Sequence, residues 1–546
     1  MRRIFILVFA VATVVVVAPR GSAQPSEMKK PAGTKSALAD FNNDSFADLA
    51  VGVPSEDLGT VTDAGQVQVF YGGSGGLQAL SPDDQLWNQD SAGVRGAAQP
   101  GDKFGSSLAT GDFNNDGFTD LAVGVPFEDV GTVPDGGAVE VLYGSAAGLQ
   151  AITPDDQFWS QDSSGVKGAA QDSDRFGSSL ATGDFNGDGF ADLGIGVPFE
   201  DVGTAVDAGS ATLLYGSAAG LQAASPDDQL WSQNATGVID SAEASDQFAS
   251  VLAAGDFNSD GFDDMAFGVP FEDVAAIVDA GAVNLLYGQA GGLQAASPND
   301  QFWNQDSASV QDDAETGDEF GFSLATGDFN NDGLSDLATG VPLEDVATVV
   351  DAGGLDVFYG SGGGLQAIFP DDQFWSQDST GVQDSAETSD QLGISLVTGD
   401  LNFDGFDDVA AGIPFENVGT ITDAGAAATL YGSATGIQAD APDDQLWSQN
   451  STNILENSEI GDNFGLALSV SDFNGDTFAD LAVGVPLENL GTFPDGGCIN
   501  LLYGSIGGIQ ADAPNDQVFN QNVINVQDDV ETGDQFGGAL AATTNS

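Results

Sequence analysis

A nine-residue pattern, Asp-x-Asn-x-Asp-x-x-x-Asp, recurs seven times in this chain, each copy starting 72 residues after the last. A period of that length means an array whose units share one core rather than a string of separate domains. The pattern is also chemically specific. Oxygen side chains at positions 1, 3, 5 and 9 of a short loop suit a hard cation, which takes six to eight oxygens at about 2.3–2.6 Å. In the second copy these are Asp112, Asn114, Asp116 and Asp120, with the Phe118 carbonyl as a further candidate oxygen. Gly117 occupies the position of the sharp turn.

The first copy offers Asp40, Asn42, Asp44 and Asp48, and the third Asp184, Asn186, Asp188 and Asp192. The fourth offers Asp256, Asn258, Asp260 and Asp264, and the fifth Asp328, Asn330, Asp332 and Asp336. The sixth has Asp400, Asn402, Asp404 and Asp408, and the seventh Asp472, Asn474, Asp476 and Asp480. Polar turns that bind nothing also favour Asp, Asn and Gly, but they do not require four liganding positions to recur together. The expectation is up to seven Ca2+, one per unit. Ser45 and Thr477 replace the turn glycine in the first and last copies, and the sequence leaves binding there open.

One unit, taken over residues 104–175, has four short strands. They are Phe104 to Gly111, Leu121 to Val125 ended by Pro126, Ala138 to Gly144, and Asp156 to Gln161, with the cation loop between the first two. Glycine-rich turns separate them, and 74 glycines in the chain fit that pattern. Seven units of four strands without a helical period predict an all-β, seven-bladed β-propeller over residues 36–546. All seven tyrosines fall at one repeat position, Tyr71 to Tyr503, and all six tryptophans at another, Trp87 to Trp447, with Phe519 in the seventh place. Rings at one fixed position per blade read as packing between blades; sugar stacking by the tryptophans is the functional alternative. The segment Asp534 to Ala541 matches the opening strand of a unit, whereas the chain enters just before Asp40 without one. The C-terminal segment is therefore expected to complete the first blade and close the ring, leaving no open edge.

Residues 1–23 combine Arg2 and Arg3, an apolar run from Ile4 to Ala18 and the small residues Gly21, Ser22 and Ala23. This reads as a secretory signal, followed by a polar leader over 24–35. The apolar run is shorter than the roughly 20 residues that span a bilayer, so an exported, unanchored protein is expected. Without the signal, seven basic residues face 84 acidic ones. Such a chain repels nucleic acid and anionic membrane. The one cysteine, Cys498, excludes an internal disulfide and reads as a buried apolar residue. Metal is the obvious stabiliser in its place.

The pairing of Phe104-Gly105 with Gly124-Val125-Pro126 around the Asp-rich loop resembles the FG-GAP repeat of integrin α-subunit β-propellers. Leu392-Gly393, Phe248-Ala249 and Gly412-Ile413-Pro414 depart from it locally. The resemblance implies calcium in the loop between strands one and two, held by the residues above. It also implies partner binding on the opposite face. There Arg95, Lys103, Lys167 and Arg175, the only basic residues of the propeller body, make one sector less negative and a candidate partner site. The Glu128-Asp129 pair and its equivalents read as solvated turn acids.

The absence of histidine removes Ser-His-Asp and Cys-His catalysis and His-based zinc sites. No phosphate-cradling or nucleotide motif is present. The reading is a non-catalytic, exported, monomeric calcium-binding scaffold for adhesion to an extracellular protein or glycan. The alternative is a calcium-dependent carbohydrate-binding propeller with glycosidase or lyase activity, for which the acids would suffice.

Overall fold

The computed structural model describes residues 39–542 apart from 81–82, 297–299, 369, 441–443, 513 and 524–525. The signal and leader expected over 1–35 lie outside the described residues. Seven four-stranded antiparallel sheets account for all the strands among the described residues. In the second blade these are β1 (Ser107–Gly111), β2 (Asp120–Val125), β3 (Ala138–Leu142) and β4 (Gln157–Trp159). The boundaries match the sequence reading to within a few residues.

Burial explains the order of strands. The innermost strand is built of small residues (Ser-Leu-Ala-Thr-Gly), so neighbouring inner strands approach closely around the axis. The second strand, Asp-Leu-Ala-Val-Gly-Val, is buried along its whole length and so can be continuously apolar. The outermost strand is three residues long and half-buried, a short edge of the kind that limits further pairing. The inner strands contact one another in an unbroken circle. Its last member, Ala539–Ala541, pairs with Leu49–Val53 of the first blade, Ala50 opposite Ala541 and Val51 opposite Leu540. The ring is thus closed by the C-terminal strand, as the repeat register predicts.

The Phe-Gly and Gly-Val-Pro segments join neighbouring blades. Phe104 donates its N–H to the Ala64 carbonyl of the first blade at 2.9 Å, and Gly105 donates to Gly124 at 3.1 Å. A Cβ on Gly124 would stand 2.3 Å from the Gly177 carbonyl oxygen of the third blade, so only glycine permits that approach. The departures from the repeat keep this geometry: Ala249 donates to Gly268 at 3.0 Å with φ 67°, and Leu392 bridges Gly353 as Phe104 bridges Gly65.

The seven tyrosines are fully buried, and Leu149 of the second blade donates its N–H to Tyr71 Oη of the first at 3.3 Å. The tryptophans are half-buried and pack on the apolar clusters between blades. Trp303 of the fourth blade lies 5.1 Å from Phe358 of the fifth, centroid to centroid. Packing between blades is therefore what both ring sets do. Cys498 is buried in its strand. No helix among the described residues is long and apolar enough to cross a membrane.

Candidate metal centre

Each Asp-rich loop after the first is a tight hairpin between the inner strand and the second strand; the first leads into Leu49–Val53, whose inner partner is the C-terminal strand, and in all seven the carboxylates hold the loop in shape. Asp112 accepts the N–H of Asp116 on Oδ1 at 3.0 Å and that of Gly117 on Oδ2 at 2.8 Å. Asp116 accepts from Phe118 at 3.0 Å. Asp120 accepts from Phe113 at the start of the loop and from Gly144 beyond the third strand, at 3.0 and 2.9 Å. The same bonds form in the first loop from Asp40, Asp44 and Asp48. They recur around Asp184, Asp188 and Asp192 and around Asp256, Asp260 and Asp264. The loops of Asp328 to Asp336, Asp400 to Asp408 and Asp472 to Asp480 repeat them again. All 21 loop aspartates predicted from the sequence are thus brought to equivalent places.

The turn position requires a left-handed backbone. Gly117 has φ 89° there, and Ser45 and Thr477 are forced to 78° and 82° in the loops lacking glycine. Both keep the hydrogen bond to the first aspartate, at 2.7 and 2.9 Å. The strain falls hardest on Thr477, since a β-branched residue rarely adopts that conformation.

The donor set suits a hard divalent cation. Asp120 is fully buried, and desolvation, then the charges of Asp112 and Asp116, drive its carboxyl well above the ordinary aspartate range. Burial likewise raises Asp112. Positive charge does not offset them from within the propeller. Arg95 pairs with Asp155 and Asp156, Lys103 with Asp63, and Lys167 with Asp227 and Asp228. Arg175 is packed between the rings of Phe127 and Phe199. Asn114, only 9% exposed, has neither Oδ1 nor Nδ2 in a hydrogen bond, and the same holds for Asn42 and Asn330. Buried amides are normally satisfied, and the orphaned Asn114 carbonyl among carboxylates is an oxygen of the type a hard cation takes. Not every copy is alike: Asn402 and Asn474 accept the N–H of Asp404 and Asp476 at 2.9 Å, and Asn258 and Asn474 reach the ninth-position aspartate.

One relationship was not visible in the sequence. The residue at position 8 of each loop donates its N–H to the carbonyl of the first aspartate in the preceding loop. Thr119 donates to Asp40, Ala191 to Asp112 and Ala479 to Asp400 at 3.2 to 3.3 Å, and Ala47 donates to Asp472 at 3.2 Å. The seven hairpins form a closed belt on one face.

The opposite face corrects one reading. Glu128 and its equivalents are not solvated. Glu128, Glu56, Glu272, Glu344, Glu416 and Glu488 are buried, and Glu200 half-buried. Each accepts a hydrogen bond from a glutamine of the preceding blade, as Gln89 Nε2 does to Glu128 at 2.6 Å and Gln305 to Glu344 at 2.8 Å. Gln161, Gln233, Gln377, Gln449 and Gln521 repeat the bond to Glu200, Glu272, Glu416, Glu488 and Glu56. The acid sits where blades meet, not at a free turn; only a recurrence paired with the glutamine 39 residues before it carried the signal. The basic residues on that face are engaged within the molecule by the contacts above.

The FG-GAP repeat family matches residues 32–70, 104–142, 176–214, 248–286, 320–358, 392–430 and 464–497. The chain belongs to the FG-GAP repeat proteins. Its repeats are 36% identical over 163 residues to phosphatidylinositol-glycan-specific phospholipase D of Rattus norvegicus, covering 30% of this chain and 18% of that protein. They are 28% identical over 239 residues to integrin alpha-PS2 of Drosophila melanogaster, covering 43% of this chain and 15% of the integrin. This FG-GAP chain thus spans less than a fifth of the length of either relative. Among solved structures, the periplasmic gluconolactonase of Pseudomonas aeruginosa aligns over 91% of this chain and 99% of its own at TM-score 0.43 and 15% identity, too loose a likeness to bear on function.

Proposed function

We propose that this FG-GAP propeller is an exported, calcium-binding scaffold for adhesion or protein interaction, without catalytic activity of its own. The observation that carries the calcium reading is Asn114: a buried amide with both polar atoms unpartnered, set among Asp112, Asp116 and Asp120. Those four side chains would hold the ion, with their equivalents in the other six hairpins. Bound there, calcium would supply the positive charge that the three carboxylates lack. The protein's own part is to hold the loop in shape through the Asp112, Asp116 and Asp120 hydrogen bonds and to join loops through the belt. Binding in one hairpin therefore stiffens the face as a whole. The adhesion reading rests on the likeness to integrin alpha subunits over part of their length. The partner is an extracellular protein or glycan met by a monomeric propeller.

The test is a count of bound calcium on the folded chain, with a glycan array and pull-downs run in millimolar calcium and after chelation. Several ions per chain and calcium-dependent capture of a protein partner support the scaffold. Glycan binding lost on chelation replaces it with the carbohydrate-binding reading. A folded chain that takes up no calcium ends the proposal.

A further inference from the structure

The belt of hairpins is not the same at every joint. At three joints the side chain at position 8 of one loop accepts the N–H of the first aspartate in the preceding loop. Asp263 Oδ2 accepts from Asp184 at 2.7 Å and Asp407 Oδ2 from Asp328 at 2.8 Å. Thr119 Oγ1 accepts from Asp40 at 3.1 Å. Asp263 and Asp407 also donate their own N–H to the carbonyls of Asp184 and Asp328, at 3.2 and 3.1 Å, so each of those aspartates is clasped by two bonds. Ala47, Ala191 and Ala479 hold position 8 at three other joints and have no side-chain oxygen to offer. Ser335 reaches Asp256 only through its N–H, at 3.1 Å.

Asp263 and Asp407 are 5% and 7% exposed. A Cβ on Gly183 would stand 3.1 Å from Asp263 Oδ2, and one on Gly327 3.2 Å from Asp407 Oδ2, so each carboxylate lies over a bare end of the inner strand. The charges that bear on Asp263 are those of Asp184 and Asp256, the first aspartates of the third and fourth hairpins. Acids so placed repel one another, and a cation in the hairpin relieves that repulsion. The asparagines sort in a similar way. Asn186 and Asn330, in the hairpins that Asp263 and Asp407 clasp, make no side-chain hydrogen bond. Asn258, Asn402 and Asn474, in unclasped hairpins, are bonded within their own loops. Asn114 is unclasped and unbonded. Calcium affinity in oxygen-rich loops is tuned by charge count and rigidity. The clasp supplies both, since it fixes the backbone of the first aspartate and adds a fourth carboxylate beside Asp184, Asp188 and Asp192.

We propose, on the calcium reading of the hairpins, that Asp263 and Asp407 make the third and fifth hairpins the tight calcium sites of the belt. Each is a positioning residue for the hairpin of the preceding blade and touches no ion itself. The belt loads first at these two hairpins, not as seven equal sites.

The experiment follows hydrogen exchange of the peptides covering each hairpin across a Ca2+ titration of the full chain, for the wild type, Asp263→Ala, Asp263→Asn and Ala191→Asp. Alanine already stands at position 8 of three loops, so Asp263→Ala is expected to fold. The wild type should protect the third and fifth hairpins at lower calcium than the second and sixth. In Asp263→Ala the third hairpin should need about tenfold more calcium, the low end of what supporting hydrogen bonds contribute to metal affinity, with the fifth unchanged. Asp263→Asn, which keeps an acceptor without the charge, should fall between. Ala191→Asp, set over Gly111 as Asp263 is over Gly183, should tighten the second hairpin. An unchanged third hairpin in Asp263→Ala overturns the proposal and leaves calcium binding by the hairpins intact. A loss of protection as large in chelator as in calcium would make Asp263 a structural residue only, and overturns it too. A wild type without calcium-dependent protection overturns both the tight sites and the calcium reading.

Discussion

Gln521, just after the outermost strand of the seventh blade, donates its Nε2 hydrogen to Oε2 of Glu56 in the first blade at 2.7 Å. The bond is the same as those between consecutive blades, such as Gln89 with Glu128. The closing seam is therefore chemically a seam like the others, although its two sides come from opposite ends of the chain. The first and last blades are joined by this bond and by the pairing of Ala539–Ala541 with Leu49–Val53.

Leu540 is the side chain on which that strand turns. It is 1% exposed and faces Val51 across the sheet. Leu540→Ala should cost about 2–5 kcal/mol, as buried Leu-to-Ala changes do, and deletion of residues 539–546 should lower the melting temperature further. Denaturant unfolding checks the first and calorimetry the second. A neutral deletion would falsify closure by the C-terminal strand.

Removal of the seam amide tests a different bond. Gln305→Ala leaves Oε2 of the buried Glu344 without its donor, and a typical hydrogen bond contributes about 0.5–1.5 kcal/mol. Burial, then the charges of Asp312 and Asp318, push Glu344 up to about 9, so the folded chain holds it protonated at neutral pH. The variant should unfold at lower denaturant at neutral pH. The loss should be the same at pH 5 as at pH 7, because the folded carboxyl is protonated at both. A loss that shrinks as the pH falls from 7 to 5 would show that Glu344 is ionised in the folded chain.

Thr477 carries strain that its neighbours avoid. Its φ of 82° is the conformation Gly117 adopts in the second hairpin. Thr477→Gly should stabilise the chain by up to about 1 kcal/mol, relief of strain of about 1–3 kcal/mol being partly offset by the greater freedom of glycine in the unfolded chain. Equilibrium unfolding in chelator is the measurement. A destabilised variant would show that the threonine methyl packs usefully.

The pH dependence without calcium should run opposite to ordinary acid denaturation. Burial pushes Asp102 and Asp318 up to about 7, and Asp246, Asp390, Asp462 and Asp534 up to about 6. The folded chain then holds protons that the unfolded chain, with aspartates near about 4, has released. Stability falls wherever the folded state binds more protons and the pH rises. In chelator the melting temperature should therefore be higher at pH 5 than at pH 8, with the loss spread from about pH 4 to 7. Calcium should oppose the trend at neutral pH. Thermal scans across that range, with and without calcium, check both.

Periodicity made much of this protein legible. The 72-residue recurrence carries the blade count, the strand order and the hairpins, because each unit repeats the same local pattern of apolar strands and polar turns. Closure by Asp534 to Ala541 was legible too, since a surplus first strand at one end answers a missing one at the other. The four basic residues and the Glu128 series were not. An acid of the Glu128-Asp129 pair looks solvated in sequence, and Glu128 is buried where its blade meets Gln89 of another. Arg175 looks free, and two phenylalanine rings from different blades enclose it.

By itself, then, the sequence determined what each unit is: four strands, one oxygen-rich hairpin and a register that closes the ring. These follow from local backbone preference and from the alternation of apolar and turn residues, which need no knowledge of a neighbour. Only the tertiary structure decided what lies between units. The belt from Thr119 to Asp40 and from Ala47 to Asp472 and the buried Gln–Glu seams both arise there. They join residues far apart in the chain, and burial of a carboxylate is a property of what packs over it, which no single repeat contains.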